Sequence, residues 1–119
     1  MTKYTENENG YIVNLVNLTP HAVNFVTADG VQVDVQPEGV VARLEQKDVF
    51  SRWVGRIPVY KTEYGQVQNL PDPQPDTIYI VSGMVLSQVP ERDDVLSPGA
   101  LIRNDAGQVV GAGGFKEER

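Results

Sequence analysis

The chain of 119 residues has no cysteine and a single histidine, His21. Without thiols there is no disulfide framework, no thiol nucleophile and no thiolate metal site, and one imidazole is too few for a histidine-based zinc site. Long apolar runs are missing as well: nothing approaches the roughly 20 residues that a membrane helix needs. The polar opening MTKYTENENG lacks the apolar centre of a signal peptide. Basic residues are scarce, ten against sixteen acids, for a net charge of −6, and they form no basic helix or tail. Phosphate neutralisation needs clustered Lys and Arg, so nucleic acid is not expected as a partner. The acids are dispersed too, which favours simple solubility over mimicry of DNA. Together these absences lead us to expect a cytosolic protein with no cofactor, no metal and no membrane partner.

The common phosphate-binding signatures are also missing. No Gly-Lys-Ser or Gly-Lys-Thr occurs, and GAGGF (111–115), the nearest string to a dinucleotide fingerprint, lies near the end of the chain and opens no helix. Asp93 and Asp94 are adjacent acids, weak support for a hard-cation site.

What is present is an ordinary balance, 40% hydrophobic and 22% charged, in a length suited to one core. Residues 1–10 read as a flexible tail and 11–119 as one domain. Short apolar runs alternate with turn residues. YIVNLVN (11–17) reads as a strand. AVNFVT (22–27) and VQVDV (31–35) flank Asp29-Gly30, a hairpin signal because glycine takes the positive φ of the turn. Val31, Val33 and Val35 alternate with polar residues at period 2. GVVARLE (39–45) alternates as well, whereas QKDVFSRWVGR (46–56) reads as a short amphipathic turn or an exposed loop carrying Val49, Phe50 and Trp53. IPVYKTEY (57–64) is a strand run that Gly65 is expected to turn back. The prolines of PDPQPD (71–76) make a rigid connector. TIYIVS (77–82) is the most continuous apolar strand and is expected to be central. GMVLSQV (83–89) is the one helix, with Ser82 as N-cap and Pro90 as stop. ALIRNDAGQVVGAGGF closes the chain as a hairpin around 104–107. The pattern predicts a mainly β fold of about eight short strands, an antiparallel or mixed small barrel or sandwich with one short helix; α+β is the alternative.

Sites in such folds sit just past strand ends. Asn17, Thr19 and His21 follow the first strand, Ser82 follows TIYIV, and Arg92, Asp93 and Asp94 follow the helix. Parallel pairing of the first strand with TIYIV would bring all three groups to one edge, as a candidate ligand-binding site. Each group has a plainer reading beside it: a backbone-bonded corner for His21, a helix cap for Ser82, a loop tie for Arg92 with its acids. Phe50 and Trp53, beside Arg52 and Arg56, are candidates for a protein contact surface.

These residues also carry a likeness. NLTPH (17–21), VAR (41–43), IPV (57–59), TEYG (62–65) and LPDP (70–73) occur in that order, followed by IYIVS (78–82), VPERDDV (89–95), PG (98–99) and IR (102–103). The series resembles a family of small bacterial and phage or prophage proteins with no assigned activity, and the likeness covers nearly all of the chain after residue 10. It implies a phage-linked setting and carries no role to His21, Ser82 or Arg92. The expected function is therefore a binding or interaction module, for a small anionic ligand or a protein partner. The alternative is a small hydrolase or transferase with His21 as general base and Asp93 or Asp94 orienting it. Edge strands in so small a chain make a homodimer reasonable.

Overall fold

A computed structural model describes the backbone of residues 2–5 and 12–118, and the side chains of 13–118. Among the described residues, eleven strands and one short helix make a small β-rich fold with a mixed architecture. The strands are β1 (Thr2–Thr5), β2 (Ile12–Asn17), β3 (Val23–Val26), β4 (Gln32–Val35), β5 (Arg43–Val54) and β6 (Ile57–Gln68). β7 (Thr77–Ile80) leads through α1 (Gly83–Leu86) to β8 (Val95–Pro98), followed by β9 (Leu101–Arg103), β10 (Val109–Ala112) and β11 (Phe115–Lys116).

One sheet has the order β1-β2-β7-β8-β11, a second the order β4-β3-β10-β9, and among the described residues β5 and β6 pair only with each other. TIYIV is central, as its unbroken apolar run predicts: β7 lies between β2 and β8, parallel to both. Each face of the five-stranded sheet covers its own core. On one side Leu15 and Ile80 meet Phe25, Val35 and Ala112 of the second sheet. On the other, Val16, Tyr79 and Val81 meet Val85, Leu86 and Val89 from α1 and its exit, with Leu44 and Val67 closing the edge. The alternation of adjacent residues between these clusters is the period-2 geometry of strands.

The hairpin around Asp29-Gly30 forms as expected, with Gly30 at φ +86° and Val33 and Val35 turned inward. The closing hairpin also forms, Gly107 at φ +80° and the Asn104 side chain accepting from the N–H groups of Ala106 and Gln108. β10 adds a parallel bridge to β3, and Gly111 stands where a Cβ would meet the Asn24 carbonyl oxygen at 2.7 Å.

Several expectations are corrected. Thr2–Thr5, read as tail, pair antiparallel with Leu15 to Ile12 as an edge strand; residues 6–10 of that expected tail lie outside the described residues. Gly39–Ala42 form no strand, and α1 stops at Leu86. The largest departure is at 46–56. In place of a loop, these residues extend β5 to twelve residues, and Gly65 does not turn β6, which runs on to Gln68. Gly65 sits at a register shift opposite Glu45, so close that a Cβ would lie 2.8 Å from the Glu45 carboxylate. The turn is Gly55-Arg56, with Gly55 at φ +60°, the glycine-first arrangement of a two-residue hairpin loop.

This hairpin is an arm. Its residues are exposed apart from half-buried Leu44, Val49, Val59 and Val67. Twelve extended residues span about 40 Å, and the Cα radius of gyration is 17.7 Å against about 13.5 Å for a compact domain of this length.

Candidate functional site

Three places hold the residues that the sequence singles out. The first is the corner after β2. Asn17 is fully buried, and its amide donates to the carbonyl oxygens of His21 at 2.9 Å and Val35 at 3.0 Å. Its Oδ1 accepts the Thr19 N–H at 2.9 Å and the Thr19 hydroxyl at 2.6 Å, and that hydroxyl also lies 2.9 Å from the His21 carbonyl oxygen. Every polar atom of Asn17 is thus committed to folding the chain around Pro20. The His21 ring is exposed, and it is the backbone carbonyl of His21 that the corner uses. NLTPH is a hydrogen-bonded corner.

β2 and β7 run parallel, so Thr19 and Ser82 do share an edge and together line a cleft of about 250 Å³ with Arg43, Met84 and Val85. Ser82 caps α1, its Oγ accepting the Val85 N–H at 3.3 Å. With four residues, α1 is too short for its N-terminus to attract an anion strongly.

Arg92, Asp93 and Asp94 are not at that edge. The connection through α1 carries the chain back to the start of the parallel sheet, so these residues precede β8 and lie beside the residues that precede β7. The Tyr79 N–H donates to the Asp94 carbonyl oxygen at 2.8 Å. Arg92 grips both Asp94 oxygens, at 2.7 and 2.9 Å, and donates to the Pro71 carbonyl oxygen at 3.0 Å. That hydrogen-bonded guanidinium holds the Asp94 carboxyl below its ordinary range, and the Asp94 carboxylate raises the guanidinium in turn. Burial pushes the nearby Tyr79 phenol up, and its hydroxyl donates to the Asp72 carbonyl oxygen at 3.2 Å. Arg92 ties the PDPQPD connector to the sheet. The pairing of His21 with Asp93 or Asp94 that general-base chemistry needs is not assembled, because these acids line a different cleft. Among the described residues no group of three or more His, Asp or Glu could hold a metal ion.

That second cleft is a groove of about 610 Å³ at the open end of the sandwich. Leu15 and Ile78, neighbours across β2 and β7, line it with Val13, Leu96 and Phe115, and Asp76, Asp93 and Asp94 stand around it.

The third place is the arm. Phe50 pairs with Tyr60, Gln46 with Tyr64 and Trp53 with Pro58, and paired residues share a face. One face therefore carries Tyr64, Tyr60, Phe50 and Trp53 in line. The ring centroids of Phe50 and Trp53 are 5.4 Å apart, and those of Phe50 and Tyr60 6.3 Å. Trp53 is 61% exposed and Phe50 48%. Sequence reasoning identified Phe50 and Trp53 but missed Tyr60 and Tyr64 as their partners; a strand register through 46–56 was the signal needed. The arm also divides the charge. Residues 43–68 hold five basic and three acidic residues, a balance of +2, leaving five basic and thirteen acidic elsewhere, a balance of −8. The distal part, 49–61, contains Arg52, Arg56 and Lys61 and no acid. Among the described residues the side chains of these three make no hydrogen bond or ion pair.

No family model, no curated protein and no solved structure matches this chain. No helix among the described residues is long and apolar enough to cross a membrane.

Proposed function

We propose that the protein is an interaction module whose contact element is the β5–β6 arm. The observation that carries this reading is the aromatic face itself: Trp53, Phe50 and Tyr60 cluster, largely exposed, on a two-stranded ribbon that pairs with no third strand among the described residues. Clustered aromatics beside arginine are the composition of interface anchors, and a large apolar surface left in water is costly unless something covers it. A lone two-stranded ribbon is only marginally stable. The lack of cysteine fits a cytoplasmic setting, and the family resemblance fits a phage or prophage one.

The test is site-specific photo-crosslinking in the expressing cell. A photoreactive phenylalanine analogue at position 60 or 53 should give an adduct of one discrete mass, and the same group at exposed Gln32 on the body should give none. Equal labelling from both places, or none from the arm, refutes the reading.

One observation favours a second reading. The cleft shared by Thr19, Ser82 and Arg43 has the size and the single cation to take a small anion. A thermal-shift series with nucleotides and sugar phosphates tests it, since a ligand at 100 times its Kd adds about 2.7 kcal/mol. A shift that Arg43→Ala abolishes supports this reading, and no shift with any compound removes it.

A further inference from the structure

We propose that the arm's occupant is a second copy of this chain: the distal arm of one molecule seats in the acid-flanked groove at the open end of the other's sandwich. This rests on the arm being the contact element, and it names the partner. The argument is charge and shape together. The arm tip carries Arg52, Arg56 and Lys61 without an acid, while everything outside the arm sums to −8. Two arms laid face to face would join their aromatic stripes but leave Arg52 and Lys61, which stand on the opposite face of each ribbon, without a counter-charge. An arm on the body opposes unlike charges and brings the molecules together faster. A nucleic acid would satisfy the same cations, yet the −8 body behind the arm would repel it.

The groove offers what the tip lacks. Ile78, Leu96 and Phe115 present apolar surface for Trp53 and Phe50, and Asp76 and Asp93 stand where the arm's cations would arrive. Both acids are exposed, and the Asp93 carboxylate makes no hydrogen bond or ion pair among the described residues. At about 610 Å³ the groove accommodates a large aromatic side chain with its neighbours. A hairpin of twelve-residue strands reaches well past its own body, so the tip is free to enter another molecule.

The experiment is sedimentation of the full chain with charge-reversed partners. In salt of about 0.02 M, where the Debye length exceeds 20 Å, wild type should sediment at two or more chain masses, and about 0.5 M salt should shift it toward one. The arm variant Arg52→Glu/Arg56→Glu/Lys61→Glu and the groove variant Gln74→Lys/Asp93→Lys should each be monomeric alone and associate when mixed. All five substituted side chains are exposed, and circular dichroism checks that the fold survives. Trp53→Ala should weaken association at least tenfold with the charges untouched. Monomeric wild type at every concentration, association that the groove variant leaves intact, or tight binding of the arm to a single-stranded oligonucleotide instead would each overturn the proposal. The photo-crosslinks separate this failure from that of the parent reading. An adduct with a different protein keeps the arm as contact element and removes the second copy, whereas no adduct removes both.

Discussion

Phe50 and Trp53, three residues apart on one strand, present their rings to each other at 5.4 Å because a register shift lies between Phe50 and Arg52. In a regular strand, residues three apart point to opposite faces. The extra residue returns Trp53 to the side of Phe50 and Tyr60, which is how bulges re-aim side chains near functional surfaces. The aromatic face thus depends on the bulge as much as on the aromatics.

Since this face is solvent-exposed, its removal should leave folding stability nearly unchanged. Trp53→Ala is expected to cost under about 1 kcal/mol in urea unfolding, the loss of a tilted aromatic pair. Ile80→Ala, at a fully buried position between the two sheets, is expected to cost about 2–5 kcal/mol. Equal losses at the two positions would mean that the arm is part of the cooperative core.

The same separation predicts the pattern of hydrogen exchange. Amides of Tyr79 and Val81, bonded to the Asp94 and Leu96 carbonyls in the central sheet, should exchange only through global unfolding. Amides between Val49 and Tyr60 should exchange through local opening, faster by at least tenfold, in the high-salt monomer. Protection of those arm amides that rises with protein concentration would locate the contact at the tip.

How much of this was legible depended on whether a core face imposed its period on the residues. Val33 and Val35 could be placed because one side of β4 is buried, and Ser82 because a cap has a local signature. Residues 46–56 hid their strand because both faces of the arm meet solvent and a bulge shifts the phase midway, leaving no alternation to read. Gly65 looked like a turn because a glycine at a bulge and a glycine in a turn are the same letter; only the partner strand tells them apart. The edge expected to gather Asn17, Ser82 and Arg92 was half right. Parallel pairing of β2 with β7 was foreseen as a condition and holds. However, any crossover between parallel strands returns the chain to the opposite edge, and that rule places Arg92 away from Ser82 once Val95–Pro98 is known to be a strand.

Asn17 is the polar residue on which the β2 corner depends. Asn17→Ala would leave the Val35 carbonyl and the Thr19 N–H without their partner and remove one of the two donors at the His21 carbonyl, in a buried to part-buried setting. The expected cost is about 2–4 kcal/mol, since each abandoned buried group costs about 1–3 kcal/mol. His21→Ala, which keeps the backbone carbonyl, should change stability by less than about 0.5 kcal/mol. A large loss at His21 and a small one at Asn17 would reverse the roles assigned to them.

Asp94 should give the acid limb of the stability profile. Its carboxyl is held below the ordinary value by the Arg92 hydrogen bonds. A depressed carboxyl binds its proton less readily folded than unfolded, so the stability it adds is present above the unfolded pKa of about 4. That contribution is lost as pH falls from there through the lower folded value. Asp94→Asn should flatten the unfolding free energy below pH about 4 relative to wild type and lower it at neutral pH. An unchanged acid limb would mean that the Arg92 contact adds nothing to folding.

Gly111 and Gly65 both lie at register shifts where a side chain is crowded, yet they should respond differently. At Gly111 a Cβ would meet the Asn24 backbone oxygen at 2.7 Å, and that oxygen belongs to β3, which cannot move without disturbing the second sheet. At Gly65 the nearest atom, at 2.8 Å, is the end of the Glu45 side chain, which can swing into solvent. Gly111→Ala is therefore expected to cost about 1–3 kcal/mol, the usual penalty of overpacking. Gly65→Ala should cost less than half of that, and Gly65→Ala with Glu45→Ala less again, because the second change removes the carboxylate that crowds the first. Urea denaturation of the three variants checks the order. A Gly65→Ala loss as large as that at Gly111 would show that the base of the arm is as rigid as the sheet, and that Glu45 is fixed there.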